Sequence, residues 1–130
     1  MGKYVINKTN TGYTFALKAA NGESIATGGE VYSSIDSVKK SIKSVETNAQ
    51  AAAVEDQTVE GYVISKNPKF ELYHDKEGKF RFRLKAKNGQ TIAVSESYTS
   101  KANCKNGIQS VKKNSVNSPV IEPEEQAESR

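Results

Sequence analysis

Residues 17–22 read LKAANG and residues 84–89 read LKAKNG. A chain that repeats itself over most of its length builds one structural unit twice, and this limits the fold more than any other feature. With residues 3–46 set over 69–112, Tyr4 falls on Phe70, Gly12 on Gly78, Phe15 on Phe82 and Leu17 on Leu84. Asn21-Gly22 falls on Asn88-Gly89, Ile25-Ala26 on Ile92-Ala93, Tyr32 on Tyr98, Ile42 on Ile108 and Ser44-Val45 on Ser110-Val111. The offset is 66 residues at the first glycine, 67 through the middle and 66 again at the tyrosine pair. Two single-residue shifts in turns or strand ends account for this, so the chain is a tandem duplication.

Each copy reads as a meander followed by a helix. A short apolar segment (4–7, 70–73) precedes a polar turn. Tyr13, Phe15, Leu17 and Ala19 then alternate with Thr14, Ala16, Lys18 and Ala20, as Phe80, Phe82, Leu84 and Ala86 do with Arg81, Arg83, Lys85 and Lys87. Period-two alternation predicts a strand with one buried face. Asn-Gly follows in both copies; it tolerates positive φ at both central turn positions and predicts a hairpin. A third strand is expected over 24–27 and 91–94. The period then lengthens. Ser33 or Ser34, and Thr99-Ser100, are candidate helix caps. Ile35, Val38, Ile42 and Val45, and Cys104, Ile108 and Val111, form apolar stripes at helical spacing. Ser41 corresponds to Gly107, and a small residue at this helical position in both copies predicts close approach of another element. Short strands are expected at 52–54 and 119–121.

These motifs resemble the YegP-like family of small bacterial proteins. The match lies in Phe-x-Leu-Lys-Ala, Asn-Gly, Ile-Ala, Tyr-x-Ser and Ile-x-Ser-Val, found in that order in the second repeat and more weakly in the first. The resemblance implies an α+β fold in which two β-β-β-α-β units form one antiparallel sheet. Two helices pack on one face, related by a pseudo-twofold axis, and the C-terminal strands are exchanged. Members commonly carry tryptophan where this chain has Phe80 and Phe82, a swap that keeps a large apolar ring. The family brings no assigned activity and no catalytic residues. One domain over 1–121 is expected, with repeats at 1–58 and 66–121 and a disordered acidic tail at 122–130.

The 130 residues carry a single histidine, His74, and a single cysteine, Cys104. Neither a zinc site nor a nucleophile–base pair is expected from them, and no phosphate-binding glycine loop is present. Cys104 sits at the position of Val38 on the buried stripe, which makes it a core thiol. No catalytic, cofactor-binding or metal residues are expected, and the chain reads as non-enzymatic. One cysteine, no membrane-length apolar run and no apolar signal core at the N-terminus fit a cytoplasmic monomer away from membranes.

Charge is uneven. Residues 66–113 hold twelve lysines and arginines against four acids, a net of +8, whereas residues 1–50 are near balance at +2. If Phe80, Phe82 and Leu84 face the core, Lys79, Arg81, Arg83, Lys85 and Lys87 share the opposite face, with Tyr73 beside them. This gives two readings. In the first, the chain is a structural or protein-interaction module whose basic face keeps it soluble. In the alternative, that face binds nucleic acid or another polyanion, with Tyr73 stacking on a base. Glu71 is a candidate partner for the cations. Glu122, Glu124, Glu125 and Glu128 are candidates to fold back over the basic strand.

Overall fold

A computed structural model describes residues 2–123. The first repeat runs β1 (Lys3–Lys8), β2 (Tyr13–Lys18), β3 (Ser24–Gly28), α1 (Ile35–Ala51) and β4 (Ala53–Asp56). The second runs β5 (Lys69–His74), β6 (Phe80–Lys85), β7 (Thr91–Val94), α2 (Lys101–Asn114) and β8 (Val120–Ile121). The alternation sets the faces as expected: Phe15, Leu17, Phe82 and Leu84 are sealed in the core. The helix caps are Ser34 and Ser100, whose hydroxyls accept the backbone N–H of Ser37 and Asn103, each at 3.1 Å.

The hairpin turns differ from the two-residue form that Asn-Gly suggests. The Ala19 amide donates to the Glu23 carbonyl and the Gly22 amide to the Ala19 carbonyl, both at 2.9 Å. Only the glycines are left-handed, with φ of 86° at Gly22 and 87° at Gly89. This is a three-residue loop with the glycine in the bulge position. The asparagines serve by their side chains instead: the Oδ1 atoms of Asn21 and Asn88 accept the amides two residues on, at 3.0 and 2.9 Å.

All eight strands join one sheet in the order β4-β5-β6-β7-β3-β2-β1-β8. The two copies meet antiparallel at β3–β7, where Thr27 faces Val94 and Gly28 faces Ala93, and the pseudo-twofold passes here. The C-terminal strands are exchanged: β4 pairs with β5 of the second repeat and β8 with β1 of the first. Both of these outer pairings are parallel, so the sheet is mixed rather than wholly antiparallel. A parallel pairing needs a long connection: residues 57–68 join β4 to β5, β1 and β8 stand at opposite ends of the chain, and α1 and α2 carry the chain from β3 and β7 out to the two edges. Each exchanged strand is also tied by charge to the helix of the repeat it joins. Asp56 binds Lys101 at 3.0 Å and Glu122 binds Lys39 at 2.7 Å.

Both helices lie on one face over a shared core. Phe15 stacks with Tyr32 at 6.3 Å and meets Tyr4 edge-on at 6.2 Å. Phe82 does the same with Tyr98, at 6.3 Å, and Phe70, at 5.8 Å. The strand expected to end at Val54 continues to Asp56, because the Glu55 charge is met by a buried cation described below. The tail from residue 124 onward lies outside the described residues.

Candidate functional site

The face of the sheet away from the helices carries the basic strand, and the β5–β6 register decides what its charges meet. Lys69 lies opposite Lys85, Glu71 opposite Arg83 and Tyr73 opposite Arg81. Arg83 Nε reaches Glu71 Oε1 at 2.5 Å, and the guanidinium lies 4.3 Å over the Tyr73 ring. Arg81 Nε binds Asp75 Oδ2 at 3.0 Å. Lys69 Nζ is held by Glu55 at 2.8 Å and Glu71 at 3.2 Å. Glu55 is only 2% exposed and also accepts from the Gln57 side chain at 2.6 Å and the Ser65 amide at 2.7 Å.

Glu55, Lys69, Glu71 and Arg83 thus form an alternating row across three strands with no net charge. Burial works against the charges of Glu55 and Glu71. Hydrogen bonds from Lys69, Gln57 and Ser65 to Glu55, and from Arg83 and Lys69 to Glu71, outweigh it, so both carboxyls lie below their ordinary range. Hydrogen bonding to Glu55 holds the Lys69 ammonium above its own range despite burial.

The six expected site residues therefore divide. Arg81, Arg83 and Tyr73 are engaged with Asp75, Glu71 and each other. Lys79, Lys85 and Lys87 have no ion-pair partner among the described residues. Register adds Lys3 and Lys18, which face each other across β1–β2 as Lys69 and Lys85 do across β5–β6. The repeat alignment contained that signal. His74 is exposed at the end of β5, paired with Phe80 of β6 and with its ring 4.6 Å from that residue's, while Cys104 is fully buried in α2. Burial pushes the Cys104 thiol up to about 11, which leaves it un-ionised at neutral pH.

A second feature lies at the β4 edge. Six large apolar side chains are exposed among the described residues, and five belong to β4 or the segment after it: Val54, Val59, Tyr62, Val63 and Ile64. Val63 is 83% and Ile64 76% exposed. Gly61, at φ 74°, ends a turn in which the Tyr62 amide donates to the Val59 carbonyl at 3.2 Å, and residues 62–66 after it pair with no strand. The Ser65–Glu55 hydrogen bond pins this stretch beside β4. On the helix side of the same edge, Val54, Asp56, Lys105, Asn106, Ile108 and Gln109 line a groove of about 360 Å³. Sequence reasoning passed over this segment, although its signal, an apolar triplet outside both repeats, stood in the sequence.

A tandem, strand-exchanged pair of β-β-β-α-β units is the class that this geometry defines. The chain belongs to the family described as "Domain of unknown function (DUF1508)", whose model matches twice, at residues 9–56 and 75–122. It is 39% identical to the UPF0339 protein YegP of Yersinia pestis over 121 residues, covering 92% of this chain and 94% of that one. It is 61% identical over 54 residues to a UPF0339 protein of Treponema denticola, which spans 42% of this chain and 93% of that relative. The solution structure of yegP from E. coli, titled a protein of unknown function, matches with a TM-score of 0.75. That match has 32% identity and covers 94% of this chain and 92% of that one. A UPF0339 protein of Shewanella oneidensis matches with a TM-score of 0.73 at 32% identity, over 93% of this chain and 90% of that one.

Proposed function

We propose that this chain is a non-enzymatic protein-interaction module whose contact surface is the β4 edge with the 59–64 segment. The observation that carries the reading is the gathering of five of the six exposed large apolar side chains at this one edge. Contiguous exposed apolar surface marks interaction sites. The backbone favours strand addition here. The Gln57 amide donates to the Leu72 carbonyl at 2.8 Å, and ladder parity then turns the amides and carbonyls of Val54 and Asp56 to the free edge. The pseudo-equivalent edge is guarded: β8 has two residues and is followed by Glu122 and Pro123. β4 has four residues and contains no lysine, proline or bulge.

The test is a photo-cross-linking residue at Val63, with Lys40 on the helix face as control, in cells that make the protein. The captured segment is then titrated into labelled full-length chain. Adducts at Val63 alone, with amide shifts centred on residues 53–56, are expected. No adduct, equal adducts at both positions, or shifts elsewhere would overturn the reading.

Polyanion binding is the second reading, favoured by the unpartnered Lys79 and Lys85 on the open face; Lys87, expected on the same strand face, lies instead in the β6–β7 turn, its amide donating to Asn48 of α1 at 3.2 Å. With Arg81 and Arg83 engaged, about two phosphates are contacted, and the log–log salt slope of nucleic-acid binding is about −1.4 to −1.8. Lys79→Gln with Lys85→Gln should remove that binding without disturbing the fold. A cytoplasmic location belongs to the same proposal, supported by the lone cysteine's burial as a thiol.

A further inference from the structure

We infer that the occupant of the β4 edge is a second copy of this chain, seated antiparallel on the first about a twofold axis near Val63. The inference rests on the interaction-module reading and names its partner. Residues 60–66 read Glu-Gly-Tyr-Val-Ile-Ser-Lys. An acid stands at one end, a base at the other, and three exposed apolar residues lie between. Laid antiparallel on itself about Val63, this segment brings Glu60 of each copy to Lys66 of the other and packs Tyr62, Val63 and Ile64 on their counterparts. Glu60 and Lys66 are both exposed and have no ion-pair partner among the described residues. Such a self-complementary arrangement is what an isologous twofold contact requires.

The other charges near the edge do not oppose the approach. Glu55 is buried and neutralised by Lys69, and Asp56 is held by Lys101. In the neighbouring strand, pairing centred on Val54 puts valine against valine. Moving the centre of the pairing to residue 55, a register slip of two, would oppose the two Glu55 carboxylates, which disfavours it. The protein already builds its sheet by adding a strand of one unit to the edge of an equivalent unit, at β4–β5 and β1–β8. Every strand of the fold is supplied within one chain, so the second copy adds to a complete monomer. The contact is small and therefore weak, with a dissociation constant of about 10–500 μM.

The experiment is sedimentation equilibrium of the full chain over loadings of about 10 μM to 1 mM, a range that brackets that constant. Four variants are compared: wild type, Val63→Asp, Glu60→Lys, and Glu60→Lys with Lys66→Glu. All changes are at exposed positions, and thermal unfolding checks that each variant folds. Wild type is expected to dimerise with loading and Val63→Asp to remain monomeric. Glu60→Lys should dimerise about tenfold more weakly, because two attractive pairs become repulsive. The double charge swap should recover wild-type affinity, since each new base again meets a new acid; mere stickiness of an apolar patch would not respond in this way. A wild type monomeric at every loading, or a double swap no tighter than Glu60→Lys, would overturn the inference. A monomeric wild type whose Val63 cross-linker still captures another polypeptide segment would leave the interaction module standing and remove only the second copy.

Discussion

Tyr32 Oη and Ser41 Oγ lie 2.6 Å apart, whereas at the same place in the second repeat the ring of Tyr98 lies directly against Gly107. One contact between a meander and its helix is thus solved twice, once by a hydrogen bond and once by removing a side chain. A Cβ added at Gly107 would fall 2.8 Å from the Tyr98 ring carbon Cζ and 3.1 Å from Phe82, with the Tyr98 hydroxyl closer still.

Gly107→Ala should therefore destabilise the fold by about 1–2 kcal/mol, the overpacking cost exceeding the roughly 1 kcal/mol that alanine gains over glycine in a helix. The cost should shrink in a Tyr98→Phe background, which removes the nearest atom. Ser41→Ala should cost about 1 kcal/mol through the lost hydrogen bond. Urea unfolding of wild type, the three single variants and the Gly107→Ala/Tyr98→Phe double variant measures this. A Gly107→Ala chain more stable than wild type would mean that the ring yields freely.

Lys69 and Lys85 face each other across β5–β6 but should respond oppositely to substitution. Lys69→Met strands the Glu55 carboxylate, whose side chain is 1% exposed, and should cost about 3–5 kcal/mol. Lys85→Met removes a like-charged neighbour from a half-buried surface position and should change stability by less than about 0.5 kcal/mol. Equal effects in thermal unfolding would contradict the buried row.

The same row makes the fold acid-sensitive. Glu55, Glu71 and Asp56 have folded values below their unfolded ones, burial being outweighed in each by hydrogen bonds. As pH falls, the unfolded chain takes up protons before the folded chain does. Their contribution is thus complete above about pH 5 and lost as pH drops through the depressed folded values. Lys69 is raised, so its contribution is complete below about pH 10 and fades above. Urea midpoints should be flat from about pH 5 to 9 and fall below pH 4. In Glu71→Gln the acid limb should be shallower.

The repeat, the strand faces, the cap serines and the exchange were legible because duplication, period-two alternation and capping chemistry are local, or follow from family resemblance. The direction of the outer pairings was not, since whether β4 runs parallel to β5 depends on where α1 returns the chain. The candidate site was half legible. Alternation placed Arg81 and Arg83 on one face, and Glu71 was a visible partner for Arg83. The Glu55–Lys69 pair depends on which strand lies beyond β5, a fact of exchange that no window of sequence contains. The charge count of the second repeat therefore overstated its free cations, because its neutralising acid comes from the first.

Removing residues 124–130 should leave polyanion affinity unchanged to within about twofold, a conclusion that follows from reach. Glu122 is bound to Lys39 on the helix side, and β8 lies five strand spacings from β6 in the sheet order. At about 4.8 Å per spacing that distance is roughly 24 Å. Seven residues span at most about 25 Å when fully extended, before any length is spent rounding the sheet edge. Fluorescence anisotropy of the full chain and the shortened one at equal salt makes the comparison. A severalfold gain on truncation would show that the acidic end competes for the basic face after all.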